Sequence, residues 1–448
     1  MLRRQSFDTS VPTVLVRLDR NPFHHGTLGA VRSLGRAGIP VHAVIESSTS
    51  PVARSRYLRS ARASPETTSS TGLAGLLHGI ADEVAAETAT ESADDPSTSL
   101  VVLPLDDVSA LALARRRAEL SPRFLLPHQT EEQLLRVADK AALAETCADL
   151  GLPHPRTELP VDADEAAAMA WSLGLPVVAK WSRPWLLPAG GGLRSTSIVR
   201  SLSEVRELYA RTPEAGSRLL LQRLLPAGRD LDWFFHGYVD TEGRCTTGAT
   251  GRKERSWPDG AGLTAVGRWT ANPAVDRTAR ELCDALGYRG VCDLDFRLDR
   301  STGAYHLLDF NPRPGAQFRL FTDPDGLDVV RALHLDLTGR PVPPYSPAYG
   351  RRFVVENYAA LSLLTSPHRR AADGGGGGGA PRWTEYAWCA ADDPGPAFAM
   401  GRAWLGHLLR KALTALRGLL RSRRARPAPA SPPAPPPARS SSNQLTPR

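Results

Sequence analysis

Along the first hundred residues, short β-branched apolar runs alternate with stretches of helical spacing. Val11–Leu18 is such a run, and a glycine-containing turn follows it. Thr27–Ala37 then reads as a helix that Gly38 stops, and Ile39–Ile45 as a second strand. A strand–helix–strand opening predicts a parallel sheet. Leu100–Leu105 is a fully apolar strand that runs into Asp106 and Asp107. Carboxylates at the carboxyl end of such a strand either face a ligand crevice or cap the next helix, here Val108–Glu119. The acidic, Ala/Thr/Ser-rich stretch Val84–Ser99 reads as a loose insertion.

The pattern changes near Thr130. Glu131–Leu150 has helical spacing, Gly151 stops it, and Pro153 and Pro155 mark an extended exit. Strands are predicted at Pro176–Trp181, Ser197–Arg200, Arg218–Gln222, Asp232–Val239, Val291–Leu298 and Tyr305–Phe310. Helices are predicted at Ala163–Leu173, Ser203–Tyr209 and Asn272–Leu286. Strands with helices interspersed imply an α+β region, not a second doubly wound sheet. After Pro347 the signals weaken, and the six-glycine run Gly374–Gly379 reads as a flexible linker. Ala403–Leu420 places its leucines on one helical stripe with arginines alongside. Past Arg426 Pro, Ala and Ser dominate, which predicts disorder. The chain thus divides into a disordered start (1–10), an α/β domain (11–129), an α+β domain (130–345), an extension (346–400), a basic amphipathic helix (401–426) and a disordered tail (427–448).

Charge refines this picture once it is located. The net charge is +8, but Gly401–Arg448 holds ten Lys/Arg and no Asp or Glu, so the preceding 400 residues are slightly acidic. That argues against a nucleic-acid-binding core, which needs a basic face on the folded domain. The five cysteines form no C-x-x-C pair and read as buried, reduced thiols. With no apolar leader and no long apolar run, the expected location is the cytoplasm.

The chemistry concentrates after Thr130. Lys180 closes the apolar run Leu175–Ala179, where a charge is costly unless it meets a partner. Gly190-Gly191-Gly192 lets backbone N–H groups approach phosphate oxygens, although no Gly-Lys-Ser/Thr follows as in a Walker motif. Asp309 and Asn311, two apart on a strand, point to one face, and Asp295 comes from what should be the neighbouring strand. Oxygen ligands so placed suit magnesium, which is held by one or two carboxylates plus phosphates. The opening strand lacks the G-x-G-x-x-G fingerprint of a dinucleotide-binding dehydrogenase.

Taken in order, Asp139-Lys140, Val178-Ala179-Lys180, the triple glycine, Leu221–Asp230, Asp293–Arg297 and Leu308–Arg313 resemble the ATP-grasp superfamily. They look most like its carboxylate–amine ligases, such as D-alanine–D-alanine ligase and D-aspartate ligase. The resemblance runs from about Thr130 to Pro343. It implies an ATP-grasp fold, mixing α/β and α+β, behind an N-terminal Rossmann-like preATP-grasp domain. It further implies ATP on Lys140, Lys180 and Gly190, Gly191 and Gly192, with adenine read near Gln222, Arg223, Leu224 and Leu225 and the ribose held by Asp230. Magnesium, as two ions or with manganese in its place, would sit on Asp295, Asp309 and Asn311. Arg313 and Arg252 would be catalytic, with Lys253 and Arg255 beside Arg252. His24 and His25 could instead line a substrate crevice. Two departures stand out: relatives carry glutamate where this chain has Arg223, and many carry it in place of Asp309.

The implied activity joins a carboxylate to an amine through an acyl-phosphate, releasing ADP and phosphate. Its partners would be small-molecule carboxylate and amine substrates and no nucleic acid. The leucine stripe of the basic helix suits docking onto the enzyme body or a second subunit, and contact with the inner membrane face and a homodimer are further expectations. The competing reading is a non-catalytic nucleotide-binding or membrane-recruited scaffold.

Overall fold

The computed structural model describes residues 7–64, 70–91, 99–188, 191–258, 262–365 and 383–424. The chain forms two compact units, Met1–Met400 and Gly401–Arg448. The first contains three sheets.

The N-terminal sheet comprises β1 (Thr13–Val16), β2 (Val41–Ile45), β3 (Ser60–Ala63), β4 (Leu100–Pro104) and β5 (Phe124–Leu125), all parallel, in the order β3-β2-β1-β4-β5. Strand order reverses between β1 and β4, and the crevice outside the carboxyl ends of such strands is where α/β sheets bind ligands. The helix His25–Arg36 leaves the end of β1, and Asp106 and Asp107 end β4. The loose-insertion reading of Val84–Ser99 is corrected: the helix Ser70–Glu91 runs through its first half. Leu73, Leu77, Ile80 and Val84 recur at helical spacing and are buried against the sheet. Residues 92–98 lie outside the described residues.

The second sheet has β6 (Thr157–Glu158), β7 (Val177–Trp181), β8 (Thr196–Val199) and β9 (Leu219–Arg223), antiparallel in the order β6-β9-β7-β8. Alternation sends Val177, Ala179, Trp181, Leu219 and Leu221 into a core shared with the helices Ala163–Leu173 and Leu202–Tyr209. Lys180 and Gln222 therefore share the opposite face.

The third and largest sheet contains β10 (Asp232–Val239), β11 (Cys245–Trp257), β12 (Leu263–Trp269), β13 (Gly290–Asp299), β14 (Ala304–Asn311), β15 (Arg352–Val354) and β16 (Thr384–Tyr386). Their order is β14-β13-β10-β11-β12-β15-β16. One face packs Trp233, Phe235, Leu294, Phe296 and Phe310 against the helix Pro273–Ala285. The weak signals after Pro347 conceal a structural role, since β15 and β16 extend this sheet from residues 346–400. The single helix expected at Glu131–Leu150 is two, Glu131–Ala138 and Lys140–Asp149, broken at Asp139.

In the second unit the helix Gly395–Arg424 continues with Leu405, Leu409 and Leu413 exposed. Among the described residues no helix is long and apolar enough to cross a membrane. The Gly374–Gly379 run and the 427–448 tail lie outside the described residues, as does the very start of the chain. Cysteines 147, 283 and 292 are buried as expected, but Cys245 is only partly so and Cys389 is exposed.

Candidate active site

The helix break at Asp139 follows from its side chain. Asp139 accepts from the backbone N–H of Ala141 and Ala142, capping the helix Lys140–Asp149. The same carboxylate is bonded by Ser182 and by Arg183 at 2.7 Å, and Lys140 donates its backbone N–H to the Ser182 carbonyl at 2.8 Å. These bonds tie the helix start to the end of β7 and bring Lys140 beside the Lys180 strand.

Lys140 places its ammonium 2.6 Å from Asp309 Oδ1. Lys180 donates to the Leu308 carbonyl at 2.9 Å, reaching from the small sheet to β14 of the large one. Burial lowers the Lys180 pKa, against the pull of Asp309. Burial acts the same way on Lys140, but Asp309 and Asp107 outweigh it and its pKa rises. The two lysines in turn overcome burial at Asp309 and hold its carboxyl below the ordinary range.

Asp309 lies directly opposite Asp295 in the β13–β14 ladder, and Asn311 opposite Asp293. Four oxygen-bearing side chains thus share one sheet face. Burial, with Asp293 and Asp309 nearby, pushes the Asp295 carboxyl up to about 6, although Lys253 pulls the other way. Asp293 behaves oppositely: burial is overcome by His236 at 2.9 Å and by Arg313, and its pKa falls. Gly315 permits this packing, because a Cβ there would lie 2.3 Å from the His236 ring and 2.6 Å from the Asp293 carboxyl carbon.

Arg313 bridges the layers. Its guanidinium donates to Asn311 Oδ1 at 3.2 Å and lies 3.4 Å from Asp107 and 3.6 Å from Asp293. Both readings of the β4 carboxylates are therefore realised, one by each residue. Asp106 caps the following helix and also accepts from the Leu18 and Asp19 backbone, whereas Asp107 faces the crevice. His24 caps the helix His25–Arg36, accepting from the Thr27 N–H at 3.2 Å.

Other residues singled out in the sequence stand apart from this cluster. Arg252 pairs opposite Trp233, which places it on the face away from Asp295, and it meets Asp230 at 3.0 Å. Its neighbour Lys253 has the carboxylate-facing position. Asp230 sits at φ +65° in the connection between β9 and β10. The Gln222 amide donates to Thr157 at 2.9 Å, and the Leu225 carbonyl accepts from Arg297 at 3.1 Å; Leu224 lies beside it in the same connection. Arg223, at the unusual position, pairs with Asp299 at 2.5 Å, its own side chain 40% exposed. Of the glycine loop between β7 and β8, Gly191 accepts from Arg211 at 2.8 Å and Gly192 has φ +72°. Gly190 lies outside the described residues.

His236 and Asp293 went unnoticed in the sequence. A histidine inside the apolar run Trp233–Tyr238, and a second aspartate two positions before Asp295, were the available signals. Among the described residues no three His, Cys, Asp or Glu side chains converge as a self-sufficient ion site. Asp295, Asp309 and Asn311, oxygen-bearing side chains on one sheet face, still fit magnesium bound jointly with phosphates.

Comparison with solved structures settles the architecture. An N5-carboxyaminoimidazole ribonucleotide synthetase in its ADP complex superposes with a TM-score of 0.54 at 12% identity, covering 77% of this chain and 81% of that one. The biotin carboxylase domain of Hydrogenobacter thermophilus 2-oxoglutarate carboxylase gives 0.52 at 18% identity, covering 76% and 72%. The chain has the ATP-grasp fold. In sequence, the N-terminal section of the carbamoyl phosphate synthase large chain of Methanopyrus kandleri is 24% identical over 212 residues, 45% of this chain and 36% of that one. The chain spans between 20% and 36% of the first three curated relatives it matches. No family model matches it. Within the ATP-grasp fold the cluster described above lies where the small antiparallel sheet meets the large one.

Proposed function

We propose that this chain is an ATP-dependent ligase that activates a carboxylate as an acyl-phosphate and joins it to an amine. The observation that carries the reading is the Asp295–Asp309 pair on adjacent strands, with Lys140 and Lys180 converging on Asp309 and Arg313 spanning to Asp107. Such a site positions phosphates and neutralises charge, which is most of what phosphoryl transfer asks of a protein. The similar proteins support it by their names: one is a carbamoyl phosphate synthase chain, and one solved neighbour holds MgADP, ADP and bicarbonate.

In this reading Lys140 and Lys180 hold the phosphates of ATP, Gly191 and Gly192 belong to the loop over them, and Asp230 takes the ribose. Asp295, Asp309 and Asn311 hold magnesium, which supplies charge neutralisation at the phosphates. Lys253, in place of Arg252, faces the transferring group. A carboxylate oxygen bonds to the γ-phosphorus as its bond to ADP breaks. The amine nitrogen then bonds to the acyl carbon and loses a proton, and phosphate leaves. Arg313 stabilises the charge that builds on the acyl oxygen. The unit before Thr130 contributes Asp107 and the crevice for the substrate. The reading includes a cytoplasmic location, with the exposed leucines and arginines of the C-terminal helix touching anionic lipid.

The test is ADP release with paired carboxylates and amines. Asp309→Ala should abolish turnover while the chain stays folded by circular dichroism. Near wild-type turnover in that variant would dispose of the assignment.

A further inference from the structure

A second cavity, of 360 Å³, lies on the other side of the helix His25–Arg36, against β15, β16 and the segment that follows. Its size is that of a small-molecule site. His25, Gly29, Arg32 and Arg36 form one wall, spaced so that they lie on one side of the helix. Arg319, Arg351, Glu385 and Asp392 stand among the residues facing them.

Two polar groups of this lining are unspent. His25 is 6% exposed, yet neither ring nitrogen has a hydrogen-bond partner among the described residues. Buried polar groups are normally satisfied, so an orphan lining a cavity points to a ligand. Phe353 and Tyr358 hold the imidazole by ring contacts at 5.8 and 6.4 Å. The Nε of Arg351 is likewise buried and unpartnered. The lining carries four guanidiniums, of Arg32, Arg36, Arg319 and Arg351, and two carboxylates, of Glu385 and Asp392. That excess is met from behind, where Asp393 pairs with Arg32 at 2.9 Å and Asp328 with Arg319 at 2.7 Å. What remains without a partner, the imidazole and the Arg351 Nε–H, offers N–H donors.

We propose that this cavity binds a small anionic molecule through its carboxylate or phosphate oxygens, which accept from His25 and Arg351. Burial pushes the His25 pKa down to about 3, so the ring is neutral and donates from one nitrogen only. The site is separate from the lysine–carboxylate cluster and does not rest on the nucleotide reading.

Cys389 provides the readout, because it lines the cavity and is the exposed cysteine of the five. Full-length chain is labelled with N-ethylmaleimide at constant ionic strength while succinate or inorganic phosphate is titrated in, and Cys389 modification is followed by mass spectrometry. One of the two probes should slow labelling saturably, and which one does so identifies the group recognised. His25→Ala should weaken the protecting anion about tenfold, the loss of roughly one hydrogen bond to a charged group. Ala391→Trp, at an exposed wall position, should block protection without disturbing the core. Lys180→Ala should leave protection intact. The proposal falls if neither probe protects at up to about 10 mM, the weak end of specific small-molecule affinity. It also falls if Lys180→Ala removes protection while His25→Ala and Ala391→Trp keep it, since the anion would then sit among the lysines.

Discussion

Replacing Asp309 by asparagine should destabilise the resting, magnesium-free chain more than replacing Lys140 by methionine does. Asp309 faces two buried ammonium groups: Lys140 lies 2.6 Å away and Lys180 is close enough to lower its pKa. At 2.6 Å the Coulomb energy of one such pair is about 6 kcal/mol for an effective dielectric near 20. Removing one partner of a buried pair costs about 3–5 kcal/mol in general. The Asp309 side chain is 31% exposed, so solvent screens part of this. A loss of roughly 2–3 kcal/mol is expected for Asp309→Asn, which leaves two lysines uncompensated. Lys140→Met leaves Asp309 still facing Lys180 and should cost about half as much. The double variant should lie below the sum of the singles, with a coupling of roughly 1.5 kcal/mol. Urea denaturation midpoints in the presence of a chelator measure all four corners of the cycle. A coupling under about 0.5 kcal/mol, or a Lys140→Met loss equal to that of Asp309→Asn, would show that the ammonium groups do not depend on this carboxylate.

Lys180→Ala should weaken Mg·ATP binding at least tenfold by calorimetry, for a charged hydrogen bond worth about 1.5–3 kcal/mol; unchanged binding would remove phosphates from this strand. Lys253→Ala should lower ADP production well below that of Arg252→Ala, because only Lys253 faces Asp295; equal losses would mean that strand parity does not decide the contact. Arg223→Glu should place two acids together at Asp299 and lower stability, whereas Arg223→Met costs less; a stabilised glutamate variant in thermal unfolding would refute the pairing. Truncation after Met400 should leave ADP release intact and abolish co-sedimentation with anionic vesicles at low salt. Vesicle binding that persists in the truncated chain would free the C-terminal helix of any lipid role.

How much of this was legible in the sequence depended on whether the signal was periodic or relational. Asp309 and Asn311 could be placed on one face because strand geometry alternates strictly, and the Lys180 strand announced itself as an apolar run ending in a charge. Arg252 shows the limit of that reasoning. Its basic segment was visible, but which of two adjacent residues faced the carboxylates depended on β11 pairing opposite Trp233, and register is a long-range property. The insertion misread at Val84–Ser99 failed differently: composition was weighed above the helical spacing of Leu73, Leu77, Ile80 and Val84. Arg223 stood out because relatives carry glutamate there, and its partner Asp299, 76 positions away, was beyond the reach of local spacing.

The same reasoning explains why the segment 383–392 was silent. Taken alone it is short and mixed, with no period to read. Its order comes from outside it: from Arg32, which donates to the Ala387 and Trp388 carbonyls at 3.3 and 2.8 Å, and from Arg36, which meets Asp392 at 2.8 Å. Both arginines lie on the first helix, more than 350 residues earlier in the chain. Those contacts hold the far wall of the second cavity against the helix His25–Arg36.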